Sequence, residues 1–287
     1  MTHYPVLCAE AMELLAVRAE GIYLDATAGL GGHTIEIARR LTTGLVIASD
    51  RDGESLEIAR RNAAGYSARI RFHQGTFSTL REAVTGQGVR QVDGLLADLG
   101  VSRYQLTSPS RGFSILADGP LDMRMDQTHG TTAGDLVNYT AEKALADLIY
   151  QFGEERRARK IARAIVRARP IRSTLHLAGV VERAVPRTGR LHPATRTFMA
   201  LRMAVNEEQQ ELDALLEAGP DLVAAGGRMV LIAFMSLEDR KVKEKFRSLA
   251  REGRARVLTR RPVTPSENEI EQNPASRSAK LRALEMK

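Results

Sequence analysis

Residues 22–33 read Ile-Tyr-Leu-Asp25-Ala-Thr-Ala-Gly29-Leu-Gly31-Gly32-His33. A short apolar strand closes on a carboxylate, a turn with three glycines follows, and residues 34–40 then carry helical patterning. Glycines let a backbone approach a bulky ligand, and the first free N–H groups of the next helix suit an anionic group. A second apolar run, 45–49, ends at Asp50, 21 positions past Gly29. An acidic residue about 20 positions beyond such a turn is where nucleotide-binding α/β folds grip a ribose diol. The spacing is that of an adenosine-containing ligand.

Two ligand classes compete for it. A dinucleotide fingerprint G-x-G-x-x-G beginning at Gly29 needs glycine or alanine at position 34, and Thr34 stands there. What remains, Asp25-x-x-x-Gly29-x-Gly31-Gly32, resembles the first motif of S-adenosylmethionine-dependent methyltransferases, whose cofactor has no pyrophosphate to cradle. A turn without any ligand is the plain alternative, because a lone glycine motif is weak.

Outward from the turn, apolar runs at 22–26, 45–49, 70–73 and 92–97 alternate with helical stretches at 34–41, 54–63 and 78–84, after a first helix at 6–17. That is the β-α-β rhythm of a parallel sheet. The rhythm stops after Asp98. A loop rich in Gly, Pro and Asp (100–130) comes next, followed by mostly helical patterning that includes 193–218 with Phe198, Leu201, Val205, Leu212 and Leu215 on one side. Strand logic resumes at 229–234, with a helix at 237–251 and strands at 256–259 and 279–285. The expected fold is α/β, a Rossmann-like methyltransferase sheet (1–103 and 208–287) that binds the cofactor. A mainly helical substrate-recognition domain (104–207) is inserted after the fourth strand.

The chain has 287 residues, 43% hydrophobic and 27% charged, enough to bury a real core. A single cysteine, Cys8, excludes an internal disulfide and fits a reducing cytoplasm. Glu10 and Glu13 stand where a signal peptide would carry a basic region, and no apolar run approaches the roughly 18 residues of a membrane span. The six histidines lack ligand spacing, so no metal is expected. The net charge of +7 is uneven. Residues 151–205 hold thirteen Lys/Arg against three Asp/Glu, a local +10, while the rest of the chain sums to −3. Within that segment Arg156, Lys160, Arg163 and Arg167 recur at helical spacing opposite Ala158, Ile161, Ala162 and Ile165. The pattern suggests a polyanion-facing helix on a near-neutral enzyme body, with a merely solvated face as the alternative.

In open α/β sheets ligands bind beyond the carboxyl ends of the strands. Those ends are Asp25, Asp50, the Gly75-Thr76-Phe77 turn and Asp98. Beyond them the chain is similar to one family, the bacterial small-subunit ribosomal RNA cytosine-N4 methyltransferases. Its marks cover nearly the whole length: His3-Tyr-Pro-Val-Leu7, Gly31-Gly32-His33, Asp98-Leu-Gly-Val-Ser102, Arg111-Gly-Phe-Ser114, Pro120-Leu-Asp-Met-Arg-Met-Asp126, Gly153-Glu-Glu-Arg156, His192-Pro-Ala-Thr-Arg-Thr197, Ser236-Leu-Glu-Asp-Arg240 and 273–282.

The resemblance implies S-adenosylmethionine contacts from Gly31, Gly32, His33, Asp50, Phe77, Asp98 and Gln105. It implies small-subunit rRNA, or the small ribosomal subunit, as partner. Asp50 suits two ribose hydroxyls, and Phe77 suits the adenine, with core filling as its alternative. Asp98 suits the cofactor's ammonium or the reacting amine, and is a catalytic candidate with Asp122. Methylation at cytosine carbon 5 would need a cysteine nucleophile, and Cys8 lies in the first helix, away from every strand end, so nitrogen is the expected target. The acceptor base must leave its stack, and Tyr104 or Phe113 could stack on it, with Arg124 and the four basic residues toward RNA. The chain departs from the family at Arg103 and Tyr104, where Ser and Pro are usual, at Met235, where His is usual, and at Met199, where Gln is usual. The alternatives are another RNA target or a non-catalytic ribosome-assembly factor that binds the cofactor. Oligomeric state is left open, a homodimer included.

Overall fold

A computed structural model describes residues 5–187, 189 and 191–287, so His3 and Tyr4 of the N-terminal motif lie outside the described residues. The elements run α1 (Cys8–Leu15), β1 (Ile22–Asp25), α2 (Gly32–Arg40), β2 (Leu45–Asp50), α3 (Gly53–Asn62), β3 (Ile70–Gln74), α4 (Leu80–Thr85), β4 (Val92–Asp98) and α5 (Arg103–Thr107). They continue with α6 (Ala133–Tyr139), α7 (Glu142–Gly153), α8 (Ala158–Ala168), α9 (Thr174–Ala184), α10 (Thr195–Val205) and α11 (Glu208–Leu222). The last are β5 (Val223–Ala233), α12 (Ser236–Arg251), β6 (Ala255–Val257), α13 (Glu267–Gln272) and β7 (Lys280–Met286). The chain forms two compact units, one holding the described residues up to Gly100 together with Gln210–Lys287, the other Val101–Gln209.

The first unit is a seven-stranded sheet in the order β3-β2-β1-β4-β5-β7-β6. β1 to β5 pair in parallel, and β7 runs antiparallel between β5 and β6. The central strands are apolar on both faces because helices cover both. Leu24, Ile47, Leu95 and Leu231 pack one way with Leu80, Leu215 and Phe246, while Tyr23, Val46, Leu96 and Val230 pack the other way with Leu7, Met12 and Ile37. Local chemistry sets the helix starts: the Asp52 carboxylate accepts the Glu54 and Ser55 N–H groups and so caps α3.

The second unit is helical around its own core, which includes Leu145, Ile149, Ile161, Ile165, Leu177, Val181 and Leu201. Three expectations need correction. The helical stretch expected over 193–218 is two helices, because Asn206 turns inward: its amide donates to the Met123 carbonyl (2.7 Å) and accepts the Met125 N–H (2.8 Å), and Glu207 beside it is left-handed (φ 51°). The loop expected over 100–130 contains α5, and it is drawn tight by the buried Arg111, whose guanidinium donates to the carbonyls of Arg124 (3.0 Å) and Met125 (2.8 Å). The first helix is also shorter than 6–17, since Leu7 and Ala16 at its ends are left-handed. Among the described residues no helix is long and apolar enough to cross a membrane.

Central burial and surface ion pairing should differ in worth. Leu95→Ala, at a fully buried position of β4, is expected to cost about 2–5 kcal/mol. Lys245→Ala, which removes an exposed α12 pair to Glu217, should cost less than about 1 kcal/mol. Urea unfolding of the two variants at neutral pH checks both values.

Candidate functional site at the carboxyl edge of the sheet

Three parallel strands end on carboxylates: β1 on Asp25, β2 on Asp50 and β4 on Asp98. Asp25 pairs with Ala48 and with Leu96, so Asp50 and Asp98 each lie two residues further along the strand direction. Side chains alternate with period two, which puts all three carboxylates on one face, that of α1 and α2. Asp25 is the deepest. It is fully buried and accepts the Thr34 hydroxyl (2.6 Å) and the Thr27 N–H (3.1 Å). It therefore holds up the turn and does not face a ligand.

The turn crosses above it. Gly29 and Gly31 have φ of +50° and +91°, the left-handed region where an L side chain is strained. The Gly29 N–H donates to one oxygen of Asp50 (2.7 Å), the Asp52 N–H to the other (2.9 Å). Each oxygen keeps a second lone pair. Gly31 caps α2 with no side-chain hydrogen bond. Thr27 ties the turn to β4, its hydroxyl accepting the Asp98 N–H (2.6 Å).

At Asp98 the two oxygens differ. Oδ2 lies 4.0 Å from Nδ1 of the buried His33, whereas Oδ1 is enclosed with no hydrogen-bond partner among the described residues. His33 Nε2 lies 3.0 Å from the Val6 carbonyl, which can only accept, so that nitrogen carries a proton. The His33 ring thus fastens the N-terminal segment. Burial, reinforced by Asp25, Glu238 and Glu269, pushes the Asp98 carboxyl well above the usual range. Burial also pushes Asp25 and Asp50 up to about 6 each, against the hydrogen bonds that favour their ionised forms.

The remaining candidates separate by environment. Phe77 follows the end of β3 and packs, half-buried, against the sheet core. Gln105 belongs to the helical unit, where it is buried and accepts the Ser102 N–H (2.9 Å) in the capping box of α5. Tyr104 is half-buried there and Arg103 exposed. Phe113 does not present a ring to an incoming base. It is buried in the helical core, where the Arg111-Gly112 turn directs it.

Asp122 and Arg124, read as catalytic and RNA-facing, instead bind each other: Arg124 Nε and Nη2 donate to the two Asp122 oxygens (2.8 and 3.0 Å), and Gln127 adds a third bond (3.0 Å). Burial alone would raise the Asp122 carboxyl, but these donors outweigh it and hold it below the usual range. Arg156, Lys160, Arg163 and Arg167 are exposed, while Ala158, Ile161, Ala162 and Ile165 are buried. Among the described residues no group of three His, Cys, Asp or Glu is arranged to hold a metal ion.

A family model, the MraW methylase family, matches residues 1–287. The chain is 70% identical to a ribosomal RNA small subunit methyltransferase H of Solibacter usitatus, over 99% of this chain and all of that one. It is 50% identical to the protein of the same name in Acidobacterium capsulatum, over 99% and 98%, and 48% identical to that of Koribacter versatilis, over 100% and 94%. The chain belongs to the MraW methylase family.

Sequence reasoning missed four residues that hold the site of this methylase-family chain together. Thr27 in the turn and Thr34 at the start of α2 supply hydroxyls, and in the sequence Thr34 reads only as a missing glycine. Glu238 caps the end of β5, its carboxylate accepting the Phe234 and Met235 N–H groups (3.0 Å each). Its position three residues after Met235 was a capping signal. Glu269 accepts the Leu7 N–H (2.8 Å) across 262 positions, a contact for which no sequence signal existed.

Asp25 is ionised above its value of about 6, so the Thr34 hydroxyl bonds a charge at pH 8 and a neutral acid at pH 5. Thr34→Val is expected to destabilise by about 1.5–3 kcal/mol at pH 8 and by less at pH 5. Chemical denaturation at the two pH values tests this, and equal penalties would contradict it.

Proposed function

We propose that this chain is an S-adenosylmethionine-dependent methyltransferase that methylates the exocyclic N4 amine of a cytidine in small-subunit ribosomal RNA, acting in the cytoplasm. The family and the small-subunit rRNA methyltransferases it resembles along their full length support the reaction class. The observation that carries the chemistry is the enclosed oxygen Oδ1 of Asp98, which has no hydrogen-bond partner among the described residues, near Asp50 and the uncapped start of α2. That set fits the cofactor. Asp50 has lone pairs left for a ribose diol, and Gly31 and Gly32 leave the first N–H groups of α2 for its carboxylate. Phe77 offers a face for adenine, and Asp98 an acceptor for N–H donors.

Bound S-adenosylmethionine supplies a methyl group on a positively charged sulfur. The cytidine N4 lone pair is delocalised into the ring, so the site must accept its N–H bonds and hold it in line. Asp98 serves that end of the site, and its raised affinity for protons suits an acceptor for the proton that N4 gives up. A carbon-5 mechanism has no support from Cys8, which is buried in α1 with its thiol pushed up to about 11. The exposed basic face of α8, with Arg156 two residues before its start, would meet rRNA phosphates.

The ribose role of Asp50 requires its carboxylate form. S-adenosylmethionine affinity should be flat above pH 7 and fall by up to tenfold per unit below about pH 6. Asp50→Ala should lower affinity by about ten- to hundredfold at neutral pH, the worth of hydrogen bonds to a charged group. Calorimetry across pH measures both. A fall of unchanged size in Asp50→Ala would assign the titration to Asp25. Asp98→Ala should abolish methylation with the fold intact by circular dichroism; wild-type protein that binds the cofactor and transfers no methyl would instead favour an assembly factor.

On the RNA side, each neutralised phosphate releases counterions, and affinity falls with salt at a log–log slope of about −0.7 per contact on single strands. Replacing Arg156, Lys160, Arg163 and Arg167 with Glu should weaken RNA binding, flatten that slope and leave cofactor affinity unchanged. Filter binding over a salt series decides, and parallel lines of equal affinity would refute the role of this face.

A further inference from the structure

All the large apolar side chains that are exposed among the described residues fall within the helical unit, and Tyr139 is the most exposed of them, at 83%. It is the last residue of α6, and the backbone beneath it is clamped. Arg169 Nε donates to the Val137 carbonyl (2.7 Å) and its Nη2 to the Thr140 carbonyl, while the Asn138 amide exchanges two hydrogen bonds with the backbone of Ile171 (3.0 and 2.8 Å). The ring is therefore free to solvent on a fixed base.

Two arginines reach the backbone and side chains that flank it. Arg169 lies two residues beyond the basic face of α8 at Arg167. Three residues past Tyr139, Glu142 pairs with Arg163 of that same face (3.4 Å). The corner between α6 and α7 thus puts an exposed aromatic ring beside the carboxyl half of the basic helix. Aromatic rings interleaved with cations are what an unpaired strand requires, stacking for its bases and positive charge for its phosphates.

We propose that Tyr139 is a stacking platform for an unpaired base of the RNA substrate, with Arg163 and Arg167 on the neighbouring phosphates. The proposal rests on the RNA reading of α8, and the two can fail separately. A ring carries no charge, so losing it lowers affinity at every salt concentration and leaves the slope alone, whereas losing the arginines changes the slope.

The chain has no tryptophan, so Tyr139→Trp installs a single reporter at this corner. With the full chain and a short single-stranded oligocytidylate, its emission should be quenched on binding, as a stacked indole is. Tyr139→Phe should bind within about twofold of wild type, and Tyr139→Ala about five- to hundredfold more weakly with an unchanged salt slope, the worth of one stacked base. Melting curves equal to wild type are expected for all three, because the ring is outside the core. Wild-type affinity in Tyr139→Ala together with unquenched Tyr139→Trp would overturn the proposal. So would a Tyr139→Ala variant that binds RNA normally and loses only self-association in sedimentation, which would make the ring a contact between copies. The fourfold Glu variant reports on α8 independently: an unaltered slope there refutes the basic face whatever Tyr139→Ala does.

Discussion

A carboxylate without solvent lies at the bottom of this site, and the geometry above depends on how it is satisfied. Burying a charge costs several kcal/mol unless hydrogen bonds replace water. Asp25 meets that condition with the Thr34 hydroxyl and the Thr27 N–H, one from the start of α2 and one from the turn itself. The same Thr27 accepts the Asp98 N–H, so the ends of β1 and β4 are tied through one side chain. Gly29 joins the end of β2 through Asp50. Three strand ends and one helix start are thereby locked by a network reaching from position 25 to position 98.

The network concentrates acidity. Asp25, Asp50 and Asp98 share a sheet face, and Glu238 and Glu269 add to the field at Asp98. A protein stabilised only by pairing would place a lysine or arginine here. Instead, backbone N–H groups and hydroxyls satisfy Asp25 and Asp50, and Asp98 keeps one buried oxygen without a partner among the described residues. Cationic groups brought by a ligand, a sulfonium and an ammonium, are what such a field attracts. Buried carboxyls with raised proton affinity are the usual mark of a chemical site.

In the helical unit, several residues that look chemical in sequence are engaged with one another or with the core. Arg111 is buried and spends donors on loop carbonyls, Arg124 closes on Asp122, and Phe113 fills the core. These side chains give shape to a stretch with little regular structure, from Val101 to the start of α6. Charge meant for solvent is found elsewhere, on α8, where Ile161 and Ile165 anchor one face and leave the other to cations.

The sequence by itself determined the sheet, the insertion after Asp98 and the carboxylate-tipped strands. Each rests on local periodicity: apolar runs of four to seven residues, a glycine turn, and the 21-residue step from Gly29 to Asp50. It also separated the two faces of α8, because a helical repeat is visible within eleven residues. Tertiary structure alone decided which carboxylate is satisfied and which one keeps an oxygen without a partner. Asp25 and Asp98 both end strands, and only the two-residue offset in register gives the first its hydroxyl and N–H donors and leaves an oxygen of the second without one. It likewise decided the break at Asn206 and the tie between Leu7 and Glu269, since hydrogen bonds across 81 and 262 positions depend on where the chain returns in space and leave no trace in local patterning.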